Sequence, residues 1–182
     1  QYFGCLNKFF KLYQTETGRT ITLKDCWSIR DCPREEIWRR QFYPEYKAHR
    51  DRRDTAIDDD ASLSLDIGPF LKYLYDATSH YFDRCLRIAE MEADDTVAAL
   101  VRITRDLPHV KTVSIVTLDS DFYQLLADPR VSVYHPKPNW CHIDKTPEEA
   151  LYLLGQKIST GDATDNIKSA SQMASMLGDD YV

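Results

Sequence analysis

Acidic residues recur where predicted strands end and where a predicted helix begins. One follows the strand-like segment 26–30, two follow the β-branched segment 113–118, and three others open a helix at 92–95. Because the functional crevice of an open α/β sheet lies at the carboxyl ends of its strands, we expect these side chains to converge on one edge. The six acids are Asp31, Glu92, Asp94, Asp95, Asp119 and Asp121.

Asp162 and Asp165 add two carboxylates in the turn GDATDN at 161–166. Their three-residue spacing lets both face one side if a helix starts there. Carboxylates this close repel each other unless a cation lies between them, and oxygen ligands without His or Cys select Mg²⁺ or Mn²⁺ over zinc. Two such ions about 4 Å apart favour phosphodiester hydrolysis. Any single acid is equally explained as a solvated cap, so the prediction depends on the whole set.

Basic residues are concentrated in one segment of an acidic chain. The net charge of −6 argues against a nucleic-acid partner. However, seven of the 23 Lys and Arg residues lie between Arg34 and Arg53, interspersed with four aromatic residues. This layout predicts one surface that binds a polyanion and a separate acidic site. The basic residues are Arg34, Arg39, Arg40, Lys47, Arg50, Arg52 and Arg53, and the aromatic ones are Trp38, Phe42, Tyr43 and Tyr46.

Hydrophobic periodicity over the 182 residues predicts a single α/β domain with a mostly parallel sheet flanked by helices. The predicted helices cover 2–14, 35–50 with a break near Pro44, 67–82, a segment from 92, 122–126 and 147–156. The predicted strands cover 26–31, 84–89, 113–118 and 131–134. The polar segment 51–66 is predicted to be a loop, and a second small helical element begins near Gly161.

Other classes of protein are disfavoured by what the sequence contains. No apolar run approaches the roughly 20 residues that cross a bilayer, and the first residues lack a signal-peptide layout. Five cysteines without CxxC spacing favour neither a disulfide framework nor a zinc ribbon. His135, Cys141 and His142 lack paired zinc spacing and are expected to be loop and strand residues. We expect a soluble, intracellular protein without a membrane partner.

Four motifs, in this order, resemble those of the 5′ nucleases, the flap endonucleases and 5′–3′ exonucleases of the PIN-like fold. The resemblance is to their divergent form in phages and large DNA viruses, and it runs from about residue 26 to 167. One motif alone is weak evidence, but four in the right order are specific. The motifs are DCPREEIWRR followed by YPEYKAHR at 31–50, EADD at 92–95, TLDSDFYQL at 117–125 and GDATDNI at 161–167.

The resemblance implies roles for these residues. Lys47 and Arg50 would contact the scissile phosphate beneath a helical arch that a single-stranded 5′ end passes, and they lie three residues apart on one helix face. The acidic run 58–60 is expected to cap the arch loop or to keep it solvated, because runs of like charge are usually extended and exposed. The acids implied to hold two or more Mg²⁺ (or Mn²⁺) ions are Asp31, Glu92, Asp94, Asp95, Asp119, Asp121, Asp162 and Asp165. The implied nucleic-acid contacts are Arg39, Arg40, Tyr46, Lys47, Arg50, Arg52, Arg53 and Lys168.

The sequence departs from the family pattern at its two ends, and one of the implied metal ligands has an alternative. Asp25, which follows the strand-like run 20–23, is an alternative to Asp31 as the first strand-end ligand, although the spacing of Asp31 to the Trp38-Arg-Arg element matches the family better. The family's first strand, with its metal-binding Asp, is missing before the helix at 2–14. We therefore expect residues 1–160 to form a nuclease domain without that strand, and 161–182 to begin a truncated helix-three-turn-helix element.

Three functions follow as hypotheses. The first is a Mg²⁺-dependent 5′ nuclease, expected to be monomeric, that acts in replication or repair on DNA with a 5′ flap or end, or on RNA–DNA primer hybrids; no motif indicates a sliding clamp or polymerase partner. The second is a nucleic-acid-binding fragment that is catalytically weak or inactive. The third is a phosphatase, since residues 118–121 resemble the DxD nucleophile motif of haloacid-dehalogenase-type enzymes. However, Tyr123 stands where those enzymes have Thr or Val.

Overall fold

The computed structural model describes residues 2–49, 68–136 and 141–177. Its helices are α1 (Tyr2–Thr17), α2 (Arg39–Phe42), α3 (Gly68–Tyr81), α4 (Ala93–Ile103), α5 (Pro147–Thr160) and α6 (Ala170–Leu177). Its strands are β1 (Ser28–Arg30), β2 (Cys85–Arg87), β3 (Val113–Val116), β4 (Val131–His135) and β5 (Cys141–His142). The 3₁₀ helices are Leu23–Asp25, Arg34–Glu36, Thr104–Asp106 and Ser120–Ala127. No helix within these ranges is both long and apolar enough to cross a lipid bilayer.

The strands pair as the alternation of elements predicts. β1 pairs with β2 in parallel, and β3 pairs with β4 in parallel. β5, which the sequence did not predict, is a two-residue strand that runs antiparallel to β4. Within the described ranges these strands form a two-stranded and a three-stranded sheet. Asp31 and Asp119 both come shortly after the carboxyl end of a parallel strand.

Aromatic residues fix α1 against β4. Phe9 and Tyr13 are buried, and the ring of Phe9 meets the edge of Tyr134 at a centroid distance of 5.1 Å. The Tyr134 hydroxyl donates a 3.0 Å hydrogen bond to Glu16 Oε2. Gly18, with φ of +70°, follows the helix and lets the chain turn away, as expected for a residue without a Cβ. Among the side chains that the structure describes, Phe9 and Tyr13 of the amphipathic pattern predicted at 2–14 therefore form the buried face of α1.

The main hydrophobic core lies between β3, β4 and the helices packed on them. Its centre is Val133, which is fully buried. α5 packs against the 3₁₀ helix Ser120–Ala127, and that helix packs against β4. This core therefore sets the position of the segments after β3 and after α5. The buried members are Val101, Ile115, Leu126, Val131, Val133 and Ala150.

The segment 35–50 differs from its prediction. Instead of one interrupted helix, it contains the 3₁₀ helix Arg34–Glu36, the single-turn helix α2 and a turn at 44–47. Pro44 lacks the N–H that a continuing helix needs, and Lys47 has a left-handed φ of +54°. The predicted arch loop, with Arg50, Arg52, Arg53 and the acidic run 58–60, lies outside the described residues.

Candidate active site

A first acidic cluster lies at the start of α4. Carboxylate oxygens of Glu92, Asp94 and Asp95 lie within 4.8 Å of one another. Glu92 is the residue that precedes the helix, and it is 5% exposed. A helix N-terminus favours negative charge through its unpaired N–H groups. The fold thus brings three acids together where their charge is partly compensated.

A second acidic cluster combines two distant segments. Carboxylate oxygens of Asp121, Asp162 and Asp165 lie within 4.8 Å of one another. Asp119 lies beside them, because its Oδ1 accepts a 2.9 Å hydrogen bond from the N–H of Asp121. Asp162 and Asp165 lie in the turn after α5, which closes through paired backbone hydrogen bonds between Asp162 and Ile167 of 2.8 and 2.7 Å.

Members of both clusters line one concave surface, which we call the acidic cleft, whereas the buried Glu92 lines neither of its two hollows. The larger hollow of the cleft has a volume of about 590 Å³. A smaller hollow of about 160 Å³ shares Asp94 and Asp121 with it and is also lined by Arg39 and Asp95. Carboxylates from segments 92–95, 119–121 and 162–165 therefore meet as predicted. The charged residues that line the larger hollow are Lys47, Asp94, Asp119, Asp121, Lys157, Asp162 and Asp165.

The structure distinguishes the two alternatives for the first strand-end acid. Asp31 Oδ1 accepts a 2.7 Å hydrogen bond from the N–H of Ala93, so its carboxylate lies at the N-terminus of α4. Asp25 instead accepts hydrogen bonds from the N–H and hydroxyl of Thr22, at 2.8 and 2.9 Å, and closes its own 3₁₀ turn. Asp31 is therefore the one that borders the first acidic cluster, although it caps the helix and lines neither hollow.

Arg39 neutralises much of the first acidic cluster. Its two terminal nitrogens lie 2.5 Å from the two oxygens of Asp95, and one of them lies 3.0 Å from Glu92. Although burial opposes ionisation, the hydrogen bonds and charge of Arg39 lower the pKa of Asp95. Burial raises the pKa of Asp94, and the charges of Glu92 and Asp95 add to this effect. Asp94 is thus the member of this cluster whose ionised form the folded protein disfavours.

Two lysines lie among the carboxylates. Lys47 Nζ is 2.6 Å from Glu92 and 3.5 Å from Asp165, so it bridges the two clusters. Lys157 Nζ contacts both Asp121 and Asp162, the latter at 2.9 Å. Burial opposes ionisation of Asp162, but hydrogen bonds from Thr164 and Lys157 lower its pKa to about 2. Each lysine places a positive charge where like charges would otherwise repel.

Lys157 is the residue of the cleft that sequence reasoning missed. The helix predicted at 147–156 stopped one residue short of it, whereas α5 continues to Thr160. The available signal was its position five residues before Asp162, on the helix that leads into the GDATDN turn. Only the packing of α5 on the 3₁₀ helix Ser120–Ala127 brings its ammonium to Asp121.

Two turns lock together at the rim of the cleft. The N–H of Lys47 donates to the carbonyl of Asp165 at 3.0 Å, and the Tyr43 hydroxyl donates to the carbonyl of Asn166 at 3.0 Å. The side chain of Asn166 donates to the carbonyl of Glu45 at 2.9 Å. Lys47 and Asn166 both have a left-handed φ, of +54° and +60°, which is uncommon for residues other than glycine. The contacts hold Lys47 beside Asp165.

The predicted nucleic-acid contacts have different surroundings. Tyr46 is 3% exposed, and its hydroxyl lies 2.7 Å from a carboxylate oxygen of Glu92 and 3.2 Å from one of Asp165, so its single proton can be donated to either acid. Arg39 lies in the ion pair with Asp95. Lys168 lies 4.0 Å from Glu45 through its ammonium group. Arg50, Arg52 and Arg53 lie outside the described residues. Nucleic-acid binding by all of these residues stays a prediction.

The donor set of the cleft fits a hard divalent cation. Both clusters offer carboxylate oxygens without His or Cys, which are the ligands that Mg²⁺ and Mn²⁺ prefer. The carboxylate groups are concentrated enough to need positive charge, and two lysines and one arginine already supply part of it. Metal binding by these residues is a prediction that the geometry permits.

A family model matches most of the chain. The model is that of the 5′–3′ exonuclease N-terminal resolvase-like domain, and it matches residues 1–152. A comparison with curated protein sequences gave no significant match. The matched residues include three of the four sequence motifs, at 31–50, 92–95 and 117–125, and the parallel strand pairs of the structure. The match confirms the predicted α/β fold and the resemblance to 5′ nucleases.

Solved structures of bacteriophage T5 proteins share the fold. A T5 5′-exonuclease with bound zinc ions has a TM-score of 0.63 and 21% identity, over 91% of this chain and 60% of that one. The T5 D15 protein co-crystallised with metal ions has a TM-score of 0.60 and 24% identity, over 81% of this chain and 56% of that one. The T5 D15 flap endonuclease in a pseudo-enzyme-product complex with DNA and metal ions has a TM-score of 0.59 and 22% identity. This chain thus spans 55–60% of the length of these relatives.

Proposed function

Given that the chain belongs to the family of the 5′–3′ exonuclease N-terminal resolvase-like domain, we propose that it is a divalent-metal-dependent 5′ nuclease. Its substrate is DNA with a 5′ flap or a 5′ end, or the RNA of a primer hybrid, and its cellular context is replication or repair. The observation that carries this proposal is the acidic cleft, in which acids from three separate segments line one concave surface.

The two acidic clusters are the proposed metal sites. Asp121, Asp162 and Asp165 would hold one Mg²⁺ or Mn²⁺ ion, and Glu92, Asp94 and Asp95 a second, with Asp31 and Asp119 beside them. When bound, such ions supply a Lewis acid and lower the pKa of water. The T5 D15 flap endonuclease, which shares the fold, was solved with DNA and metal ions, and this supports the use of metal ions by the present chain.

The protein's own groups position and neutralise the phosphate. Lys47 is held by the interlocked turns and lines the cleft beside Asp94 and Asp165. Its ammonium is placed to stabilise the negative charge that develops on the phosphodiester, as preorganised cations do. Lys157 contacts Asp121 and Asp162 and lines the same hollow, so it can act on the same charge. Arg50, three residues after Lys47, is proposed to contact the same phosphate.

Residues 161–182 are proposed to begin a helical element that binds duplex DNA. The GDATDN turn leads into α6 (Ala170–Leu177), which packs against α5. Lys168 precedes this helix and retains a partly exposed side chain. A phosphate contact there would be independent of sequence.

A metal-dependence assay tests the proposed function. The wild-type chain and Asp121→Asn are incubated with a labelled 5′-flap duplex and Mg²⁺, and the products are resolved on a denaturing gel. Asp83→Asn is the matched control, because Asp83 is an exposed carboxylate that lines neither hollow. We expect cleavage by the wild type and Asp83→Asn, a loss of at least about 100-fold in Asp121→Asn, and no cleavage in EDTA.

The same assay separates the rival functions. A band shift without cleavage by the wild type would indicate a binding protein that does not hydrolyse DNA. Hydrolysis of a small phosphomonoester with intact DNA would indicate a phosphatase. Cleavage that persists in EDTA, or in Asp121→Asn at the wild-type rate, would contradict the proposed use of these acids.

A further inference from the structure

An exposed aromatic pair lies next to the first acidic cluster. Phe42 is 80% exposed and Trp38 is 40% exposed. Their ring centroids are 6.0 Å apart and their planes are inclined at 72°. Phe42 is the most exposed large apolar side chain among the described residues. Because this ring is largely in water, a ligand that covers it would gain from the burial of its apolar surface.

The pair is attached firmly to the acidic cleft. The indole N–H of Trp38 donates to Asp95 Oδ2 at 3.3 Å, and its backbone N–H donates to the carbonyl of Glu90 at 2.9 Å. The guanidinium of Arg39 lies over the Trp38 ring, 5.0 Å from its centroid, while it also binds Asp95. The same Asp95 lines the smaller hollow with Arg39. Trp38 is therefore fixed, and Phe42 projects beside it.

We propose that Phe42, supported by Trp38, stacks with an unpaired nucleobase of the single strand whose phosphate lies in the cleft. The proposal rests on the proposed function, since it names how the same site holds its substrate. Aromatic rings bind bases of any identity by stacking, and they do so where cations track the phosphate backbone. Arg39 and Lys47, at the two ends of the segment that carries Phe42, provide those cations.

An apolar protein surface is the less favoured occupant. A segment with Arg34, Arg39, Arg40 and Lys47 around two exposed rings complements a polyanion that also presents flat apolar faces. A protein partner would make the contribution of Phe42 independent of whether the DNA carries a base.

The test is a double-mutant cycle in which the Phe42 ring and the nucleobase are removed separately and together. Affinities are measured by fluorescence anisotropy in Ca²⁺ for a 5′-flap duplex with a normal single strand, and for flaps with one abasic site at successive positions near the junction. The proteins are the wild type, Phe42→Ala, Phe42→Leu and Phe42→Trp. Tyr73→Ala is the control, because Tyr73 is an aromatic residue of similar exposure, 70%, that lies on α3 and outside the basic segment that carries Phe42.

We expect Phe42→Ala to weaken binding of the normal flap about tenfold, the effect of losing one stacked base. One abasic position should weaken wild-type binding by a similar factor, and Phe42→Ala should then have little further effect. Phe42→Leu should resemble Phe42→Ala, since it keeps apolar area but lacks a ring, and Phe42→Trp and Tyr73→Ala should bind as the wild type does. Circular dichroism checks that each variant is folded.

The proposal is overturned if Phe42→Ala binds the normal flap with wild-type affinity, or if its loss is the same for every abasic flap. It is also overturned if Phe42→Leu binds as tightly as the wild type, since general apolar contact then accounts for the effect. A wild-type chain that binds but does not cleave in Mg²⁺ would instead contradict the nuclease function. The stacking test would remain valid, because it measures binding affinity and not cleavage.

Discussion

The fold disfavours the charged form of Asp94, an acid of the first cluster. Burial and the neighbouring carboxylates raise its pKa above the ordinary value of 3.8. When folding raises the pKa of a carboxyl group, the folded protein becomes less stable as the pH rises past the ordinary pKa, because the group ionises more readily in the unfolded chain. Above it, ionised Asp94 therefore destabilises the metal-free protein.

The prediction for Asp94 is a gain of stability without metal. Asp94→Asn should raise the melting temperature in EDTA at pH 7 by about 2–4 °C, the shift that about 1 kcal/mol gives in a domain of this size. The difference should vanish below pH 3.8, where both side chains are neutral. Mg²⁺ or Mn²⁺ should stabilise the wild type more than the variant. Differential scanning calorimetry measures both effects, and an equal metal response in Asp94→Asn and wild type would count against Asp94 as a ligand.

Lys47 differs from a surface phosphate contact because its ammonium is held between Glu92 and Asp165. Lys47→Ala should lower the single-turnover cleavage rate by about 100-fold or more, as loss of a preorganised charge does, with a much smaller change in flap affinity. Lys168→Ala should show the opposite pattern, with weaker binding and nearly unchanged cleavage at saturation. Equal losses of rate and affinity in Lys47→Ala would make Lys47 a simple phosphate contact.

At the scale of secondary-structure elements, the sequence predicted the helices and strands whose residue patterns lie within the element itself. The amphipathic spacing of α1 and the β-branched run of β3 follow from contacts within a few residues, and both elements formed as predicted. The segment 35–50 was predicted less well, because the left-handed conformation of Lys47 is stabilised by Asp165 and Asn166, more than 100 residues away. Local periodicity contains no information about such a contact.

The turn after α5 depends on a glycine. Gly161 has φ of +75° and ψ of −174°, a conformation that residues with a Cβ rarely adopt. A Cβ there would lie 2.5 Å from the carbonyl oxygen of Ile167 and 2.6 Å from Ser169 N. Because these atoms belong to the backbone, they can move away from a Cβ only if the turn opens. The geometry of Asp162 and Asp165 thus depends on the absence of a side chain at this position.

Gly161→Ala should destabilise the protein by about 2–4 kcal/mol, through backbone strain and the clash, and should abolish metal-dependent cleavage. Gly155 provides the matched control within α5, since a Cβ there meets no atom within 4 Å. Gly155→Ala should stabilise the protein by about 0.5–1 kcal/mol because alanine favours the helix. Urea unfolding measures both changes. Similar free energies of unfolding for the two variants would contradict the account of the turn.

At the scale of the whole molecule, the acidic cleft is a product of packing between distant segments. Asp94, Asp121 and Asp162 come from α4, a 3₁₀ helix and a turn, and the core around Val133 sets their relative positions. The convergence of strand-end acids was predictable from the rule for open α/β sheets. The position of Lys157 was not predictable, and neither were the contacts of Arg39 and Tyr46 with the acids. These contacts depend on side-chain distances between segments that are far apart in the sequence.

The global charge imposes a condition on DNA binding. The chain carries a net charge of −6, and its cleft has a concentrated set of carboxylates at the place where the proposed function requires the phosphate. Like charges in such a cleft oppose approach of a polyanion, whereas bound divalent cations reverse the local potential. Binding of DNA should therefore require divalent cations, apart from any role of those ions in hydrolysis.

We expect Ca²⁺ to tighten binding of a 5′-flap duplex by at least about tenfold relative to EDTA, at ionic strength matched with NaCl, since salt alone weakens phosphate contacts. Fluorescence anisotropy gives both affinities. The double variant Asp121→Asn, Asp162→Asn should bind more tightly than the wild type in EDTA, because repulsion is removed, and should respond less to Ca²⁺. Equal wild-type affinities in EDTA and Ca²⁺ would mean that the phosphate does not enter the acidic cleft, and the DNA would then have to bind on another surface.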